Sequence, residues 1–61
     1  MKLRTLHTNR VFHPDDELDL YYYDEFQGRI KFQQLVEYHY YEEVVYFDEC
    51  MISLSYFEHG F

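Results

Sequence analysis

Carboxylates at alternate positions form the most regular arrangement of chemically active side chains in the chain. Asp15, Glu17 and Asp19 are each two residues apart. In an extended strand such residues project from one face about 6.5–7 Å apart. A row of this kind can imitate backbone phosphates and attract a cationic protein surface in a salt-dependent way. The alternative is an ordinary solvated acidic face that favours solubility.

Tyrosines accompany the acids in two blocks, residues 15–25 and 37–49. Tyrosine is common in recognition surfaces because it offers a large contact area at low entropic cost. Three consecutive tyrosines cannot all face one way in a strand or a helix, so some are expected on the surface. The alternative is that they fill a small core and its rim. We expect ten residues to contact a partner: Asp15, Glu17, Asp19, Tyr21, Tyr23, Glu37, Tyr38, Tyr41, Glu42 and Glu43.

Other reactive residues match no known pattern. The potential soft-metal ligands His7, His13, His39, His59 and Cys50 fit no C-x₂-C or H-x₃₋₅-H spacing. We interpret His39 and Cys50 as core residues instead. Paired carboxylates can act as acid and base, but a chain this short has little room for an enclosed cleft. We therefore expect no enzymatic activity, no metal and no cofactor.

Length and charge limit the class of protein. The chain has 61 residues and a formal net charge of −7, so it forms one small domain that buries about 60% of its unfolded surface. Eight Tyr and six Phe exceed what such a core encloses, and a homodimer is the simplest way to cover the surplus.

The charge is also unevenly distributed. Residues 1–12 carry three basic residues and no acid, whereas residues 13–61 carry all twelve acids and two basic residues. The basic segment can pair with the acidic body of its own chain or of a neighbour. The acidic body should repel nucleic acids and membranes and attract basic proteins.

Compartment signals are few. The chain has no run of about 18 apolar residues, the length that can span a bilayer, and the first residues lack the apolar region of a signal peptide. The single cysteine cannot form an internal disulfide, which favours a reducing compartment. We expect a folded, soluble, cytoplasmic protein, in the host cytoplasm if it is viral.

The first half of the chain predicts strands. We interpret residues 1–12 as an edge strand and residues 17–24 as a second strand, because Leu18, Leu20 and Tyr22 alternate. A helix over 14–26 is the rival, since Pro14 and the acids after it are a helix-start signal. A hairpin turn at residues 27–28 follows from the glycine there, and it would place Asp24 opposite Lys31 and Tyr23 opposite Phe32.

The second half decides the fold class. Apolar residues at positions 32, 35, 36, 39 and 40 follow helical spacing, so we predict a helix over about 31–42 with Glu42 facing solvent. Strands are predicted at 44–47 and 50–57, and a tail at 58–61. The result is a small α+β fold, a mainly antiparallel sheet of three or four strands with one helix against it. An all-β meander is the alternative.

In size, acidity and ring content the chain resembles the short inhibitors that bacteriophages and mobile elements use against host nucleic-acid enzymes. Those classes include inhibitors of uracil-DNA glycosylase, restriction enzymes, CRISPR effectors and RNA polymerase. The resemblance covers composition over the whole chain and includes no shared motif. It implies a small acidic inhibitor, a possible DNA mimic, that binds the basic surface of a DNA- or RNA-handling protein. The alternative is a homo-oligomeric accessory subunit whose basic residues 1–12 meet a neighbour's acidic body.

Overall fold

The computed structural model describes residues 1–55 as a four-stranded mixed sheet with two short helices, which confirms the α+β prediction. The strands lie in the order β2-β1-β4-β3. Both hairpins are antiparallel, and β1 pairs with β4 in parallel. In chain order the elements are α1 (Leu3–Thr8), β1 (Glu17–Tyr22), β2 (Glu25–Lys31), α2 (Phe32–His39), β3 (Val44–Phe47) and β4 (Met51–Leu54).

Both helices cover one face of the sheet. Leu18 and Leu20 of β1 and Ile52 and Leu54 of β4 point to this face, since strand side chains alternate and the register pairs Leu20 with Ile52. Their cluster is completed by apolar residues of the helices and the adjoining loop, namely Leu3, Leu6, Phe12, Phe32 and Leu35. Among residues 1–55, no helix lies on the other face of the sheet. No helix among residues 1–55 is both long enough and apolar enough to cross a membrane.

The predicted N-terminal strand was wrong, because residues 3–8 form α1. Leu3 and Leu6 lie three residues apart and are both buried, which matches helical rather than strand periodicity. A six-residue helix is too short to be stable alone, so α1 is stabilised by contacts with other parts of the chain. The Leu3 amide donates to the Glu42 carbonyl at 2.9 Å, and the Arg4 amide donates to the Tyr40 carbonyl at 3.0 Å.

α1 ends in a Schellman motif. The Arg10 amide donates to the His7 carbonyl and the Val11 amide donates to the Leu6 carbonyl, both at 3.1 Å. This motif places one residue in the left-handed region, where glycine is usual. Here that residue is Arg10, with φ of 56°.

The predicted hairpin turn was also wrong. The turn lies at Tyr23–Asp24, so Leu18 pairs with Ile30 and Asp19 pairs with Arg29. This register joins two apolar residues on the core face and opposite charges on the other, which explains its advantage over the predicted pairing. Gly28, with φ of 119°, instead accommodates a register shift opposite residues 20 and 21.

The remaining elements follow the predicted order; β3 has the predicted bounds, 44–47, whereas β1 and α2 are shorter than predicted. β1 replaces the rival helix over 14–26, and α2 ends at His39 rather than near residue 42. The two helices and the parallel strand pair exclude the all-β meander. The end of the predicted strand 50–57 and the predicted tail 58–61 lie outside the described residues.

Candidate protein-binding surface

The face of the sheet without helices carries a groove with tyrosine walls. Tyr21 of β1 and Tyr46 of β3 both pair with Ser53, which lies between them on β4. Serine is small, so the two rings rise on either side of it, and they leave Ser53 only 4% exposed. The depression has a volume of about 410 Å³. We call it the tyrosine groove; it is lined by Tyr21, Tyr23, Asp24, Val45, Tyr46, Met51 and Ser53.

Tyr23 is held rigidly at this groove. Its amide donates to the Leu54 carbonyl at 3.0 Å, and its carbonyl accepts from the Ser53 hydroxyl at 2.8 Å. Its φ is 54°, in the left-handed region that bulky residues rarely adopt. The residue is 55% exposed, so the two hydrogen bonds fix its backbone while much of the side chain remains available for contact.

Acids and a further ring extend the same face. Asp19 lies beside the groove, opposite Met51, and its carboxylate is 3.3 Å from Arg29 of β2. Phe26 is exposed and packs edge-on against Tyr21, with ring centroids 5.4 Å apart. Glu17 lies two residues before Asp19 on the same face of β1 and is exposed. Asp15, also exposed, precedes β1 in a turn.

The second predicted block lies elsewhere. Tyr38 and Tyr41 are 72% and 66% exposed, and Glu37 is exposed on α2. Tyr41 packs edge-on against Tyr40 at 5.0 Å. Because α2 covers the opposite face of the sheet, these residues do not extend the tyrosine groove. The two predicted blocks therefore form separate surfaces.

The prediction that Glu42 faces solvent was wrong. The helix ends before it, and the chain turns the side chain inward until the residue is only 3% exposed. Its Oε2 atom lies 2.7 Å from Nδ1 of His39, and its Oε1 atom is buried without a hydrogen-bond partner. Burial, together with the nearby charge of Glu42, raises the pKa of Tyr22. Glu42 is therefore part of the interior and does not offer charge to a partner.

Glu43 is exposed, but its charge is offset within the chain. The N-terminal ammonium group lies 2.5 Å from Oε2 of Glu43, and Nζ of Lys2 lies 3.7 Å from Oε1. The hydrogen bond from the ammonium group and the two positive charges lower the pKa of Glu43. One basic residue of segment 1–12 thus pairs with the acidic body of its own chain.

Cys50 is exposed rather than buried, which corrects our interpretation of it as a core residue. It lies before β4 in a turn organised by Asp48, whose Oδ1 accepts from the Cys50 and Met51 amides at 2.9 and 3.1 Å. The hydrogen bonds from these amide groups lower the pKa of the Asp48 carboxyl group. The hydrogen bond and negative charge of Asp48 raise the pKa of the Cys50 thiol, which keeps it in its less reactive form.

Sequence reasoning found two walls of the tyrosine groove, Tyr21 and Tyr23, and missed Tyr46 and Ser53. The sequence pattern that could have pointed to Tyr46 and Ser53 is the alternation of residues within β3 and β4. That pattern does not show which strands are neighbours in the sheet. Within residues 1–55 no group of three or more His, Cys, Asp and Glu is arranged to hold a metal ion. Comparison with known protein families, curated proteins and solved structures found no match.

Proposed function

We propose that the chain is a small acidic interaction protein that binds the basic, nucleic-acid-binding surface of a partner protein and so inhibits it. The observation that carries the proposal is the tyrosine groove, a depression with three tyrosine walls and a carboxylate in a chain of net charge −7. Such a depression suits a protruding Arg or Lys side chain of the partner.

The chemistry of capture is a cation–π contact. The face of a tyrosine ring attracts an ammonium or guanidinium group, by about 0.5–2 kcal/mol depending on desolvation. Asp24 also lines the groove and supplies an opposite charge. Tyr23, whose backbone is already fixed, loses little freedom on binding, which favours affinity.

The distribution of acids favours capture of side chains over imitation of a whole phosphate row. Asp19 is paired with Arg29, Glu43 with the N-terminal ammonium group, and Glu42 is buried. Three of the predicted acids are therefore offset or hidden. The remaining net negative charge still attracts a basic partner over a distance and makes binding sensitive to salt.

Two matched variants test this proposal. Tyr46→Ser removes a wall of the groove, whereas Tyr38→Ser removes a ring of similar exposure from α2 (58% and 72%). Each would be used to capture proteins from nuclease-treated lysate of cells that carry the sequence, with quantification by mass spectrometry. Tyr46→Ser should weaken capture of a basic protein about tenfold or more, as for a binding hot spot, and Tyr38→Ser should leave it unchanged.

The dependence on salt gives a second criterion. Affinity for the captured protein should decrease as the ionic strength rises from low to moderate. An affinity that does not change with salt, or an equal loss of capture in the two variants, would refute the proposal.

Sedimentation distinguishes the proposal from the alternative of a homo-oligomeric subunit. A strict monomer at micromolar concentration would exclude that alternative, and assembly through Lys2 would have to displace its contact with Glu43 of the same chain.

A further inference from the structure

A second groove lies on the other side of the molecule, between the end of α1 and the start of α2. Its volume is about 970 Å³, which is in the range of small-molecule sites. The core residues Phe12 and Phe32 contribute to its floor. Because the helices cover the face of the sheet opposite the tyrosine groove, the two grooves are separate.

The charge of this groove is opposite to that of the protein. The chain has twelve acids and five basic residues, yet among residues 1–55 no carboxylate residue lines the groove. The ionisable residues that do line it include His7, Arg10 and His13, and all three are exposed. The local chemistry therefore suits an anion, although the whole chain repels one.

Arg10 occupies its place at a cost in conformational energy. Its left-handed backbone, with φ of 56°, costs a residue with a side chain about 1–2 kcal/mol relative to the right-handed form. Glycine would meet the same Schellman geometry without strain. A strained residue that displays a guanidinium group at the mouth of a cavity is a sign of function.

His13 is also oriented. Its Nδ1 accepts a hydrogen bond from the Asp15 amide at 3.2 Å, so the neutral ring carries its proton on Nε2. The Asp16 carboxylate accepts from the His13 amide at 3.0 Å, which holds the backbone of the same residue. The ring is thereby held with a donor on its far nitrogen.

Aromatic rings provide an apolar surface next to these donors. Phe12 and Phe32, with centroids 5.2 Å apart, belong to the core and are 8% and 1% exposed. The ring surface open to a ligand is therefore that of exposed His7 and half-buried Tyr40, which meet edge-on at 5.8 Å. Rings of this kind stack on nucleobases with little regard to base identity. A guanidinium fork matches the geometry of a phosphate group.

We propose that this groove binds a mononucleotide, with the phosphate at Arg10 and His13 and the base against His7 and Tyr40. The proposal does not depend on the tyrosine groove or on a protein partner. A flat ring and an anionic group in one small molecule satisfy both halves of the site at once. Phosphate alone or a nucleoside alone satisfies only one half.

Titration of the ¹⁵N-labelled full chain with AMP, adenosine and inorganic phosphate tests the proposal. AMP should shift amide signals of α1 and of residues 10–14 and 32–36, and leave those of the tyrosine groove unchanged. Its affinity should exceed those of adenosine and of phosphate by about tenfold or more, as for loss of a charge-assisted hydrogen bond. Equal affinity for phosphate and AMP, shifts confined to another surface, or no shift at millimolar AMP would overturn it.

Variants identify the anion contact. Arg10→Gly should reduce AMP affinity about tenfold. Glycine is preferred to alanine at this position because it removes the backbone strain, so Arg10→Gly is the less prone of the two variants to unfold. Arg29→Ala removes the same charge from the other face of the sheet and is the matched control. Equal AMP affinity in Arg10→Gly and wild type, or an equal loss in Arg29→Ala, would overturn the assignment.

Discussion

Replacement of Arg10 by glycine and by alanine measures the strain at the end of α1. Both changes remove the same side chain and the same positive charge near the helix C-terminus, a charge that stabilises by about 0.3–1 kcal/mol. They differ only in the backbone. Alanine keeps the cost of a left-handed residue at φ of 56°, and glycine removes it.

The difference follows from two opposed terms. Relief of the left-handed conformation is worth about 1–2 kcal/mol. Glycine also increases the conformational entropy of the unfolded chain, which lowers the free energy of unfolding by about 0.4–1 kcal/mol. The free energy of unfolding of Arg10→Gly should therefore exceed that of Arg10→Ala by about 1 kcal/mol. In a domain of this size that difference raises Tm by about 4–8 °C.

Thermal unfolding followed by circular dichroism, with urea titration as a check, resolves a difference of this size. Comparison of the two variants with each other cancels the contribution of the lost charge. If Arg10→Gly is no more stable than Arg10→Ala, residue 10 is not left-handed in solution. The Schellman motif and the functional argument from strain would then both fail.

Three further predictions concern backbone conformation and ionisation. Gly28→Ala should lower the free energy of unfolding by more than about 0.4–1 kcal/mol, since φ is 119° although nothing lies within 4 Å of the new Cβ; unchanged urea stability would contradict the positive φ at this register shift. Asp48→Asn should lower the pKa of the Cys50 thiol and speed its alkylation by iodoacetamide at fixed pH; an unchanged rate would contradict their contact. The pKa of Tyr22 is raised above 10.0 in the folded protein. The contribution of the protonated Tyr22 side chain to the stability of the folded state is therefore fully present below pH 10.0 and is lost as pH rises through the folded-state pKa. Glu42→Gln should lower that pKa but leave it raised, because burial persists; spectrophotometric titration measures it, and no change would exclude the charge of Glu42 as a cause.

Periodicity predicted the elements that bury a clear apolar face. The i, i+3 spacing of Phe32 and Leu35 indicated α2, and the alternation of Leu18 and Leu20 indicated β1. These patterns reflect burial on one side of an element, which a local sequence records directly. The bounds were less accurate, since α2 ends at His39 with no glycine to mark its end.

Elements that depend on distant contacts could not be predicted. α1 depends on backbone bonds to Tyr40 and Glu42, which no local pattern records. The hairpin turn at Tyr23 lacks a residue that favours positive φ, so turn chemistry pointed to Gly28 instead. Strand pairing overrode that preference, because the observed register aligns Leu18 with Ile30.

The tyrosine groove was predictable only in part for the same reason. Tyr21 and Tyr23 stood out by composition, but their partners Tyr46 and Ser53 come from the other hairpin. They meet because β1 pairs with β4 in parallel, and a parallel pair has no local turn to reveal it. Composition therefore indicated the kind of surface, and tertiary pairing decided its members.

That parallel pair also constrains how the chain can fold during synthesis. Each hairpin can form from neighbouring residues, but β1 gains its second neighbour only when β4, the last of the four strands, becomes available. Until then one edge of β1 stays open to other chains. Non-local pairing of this kind slows folding, so a ribosome-bound fragment that ends before Met51 should be a target for chaperones and proteases rather than a partly active protein.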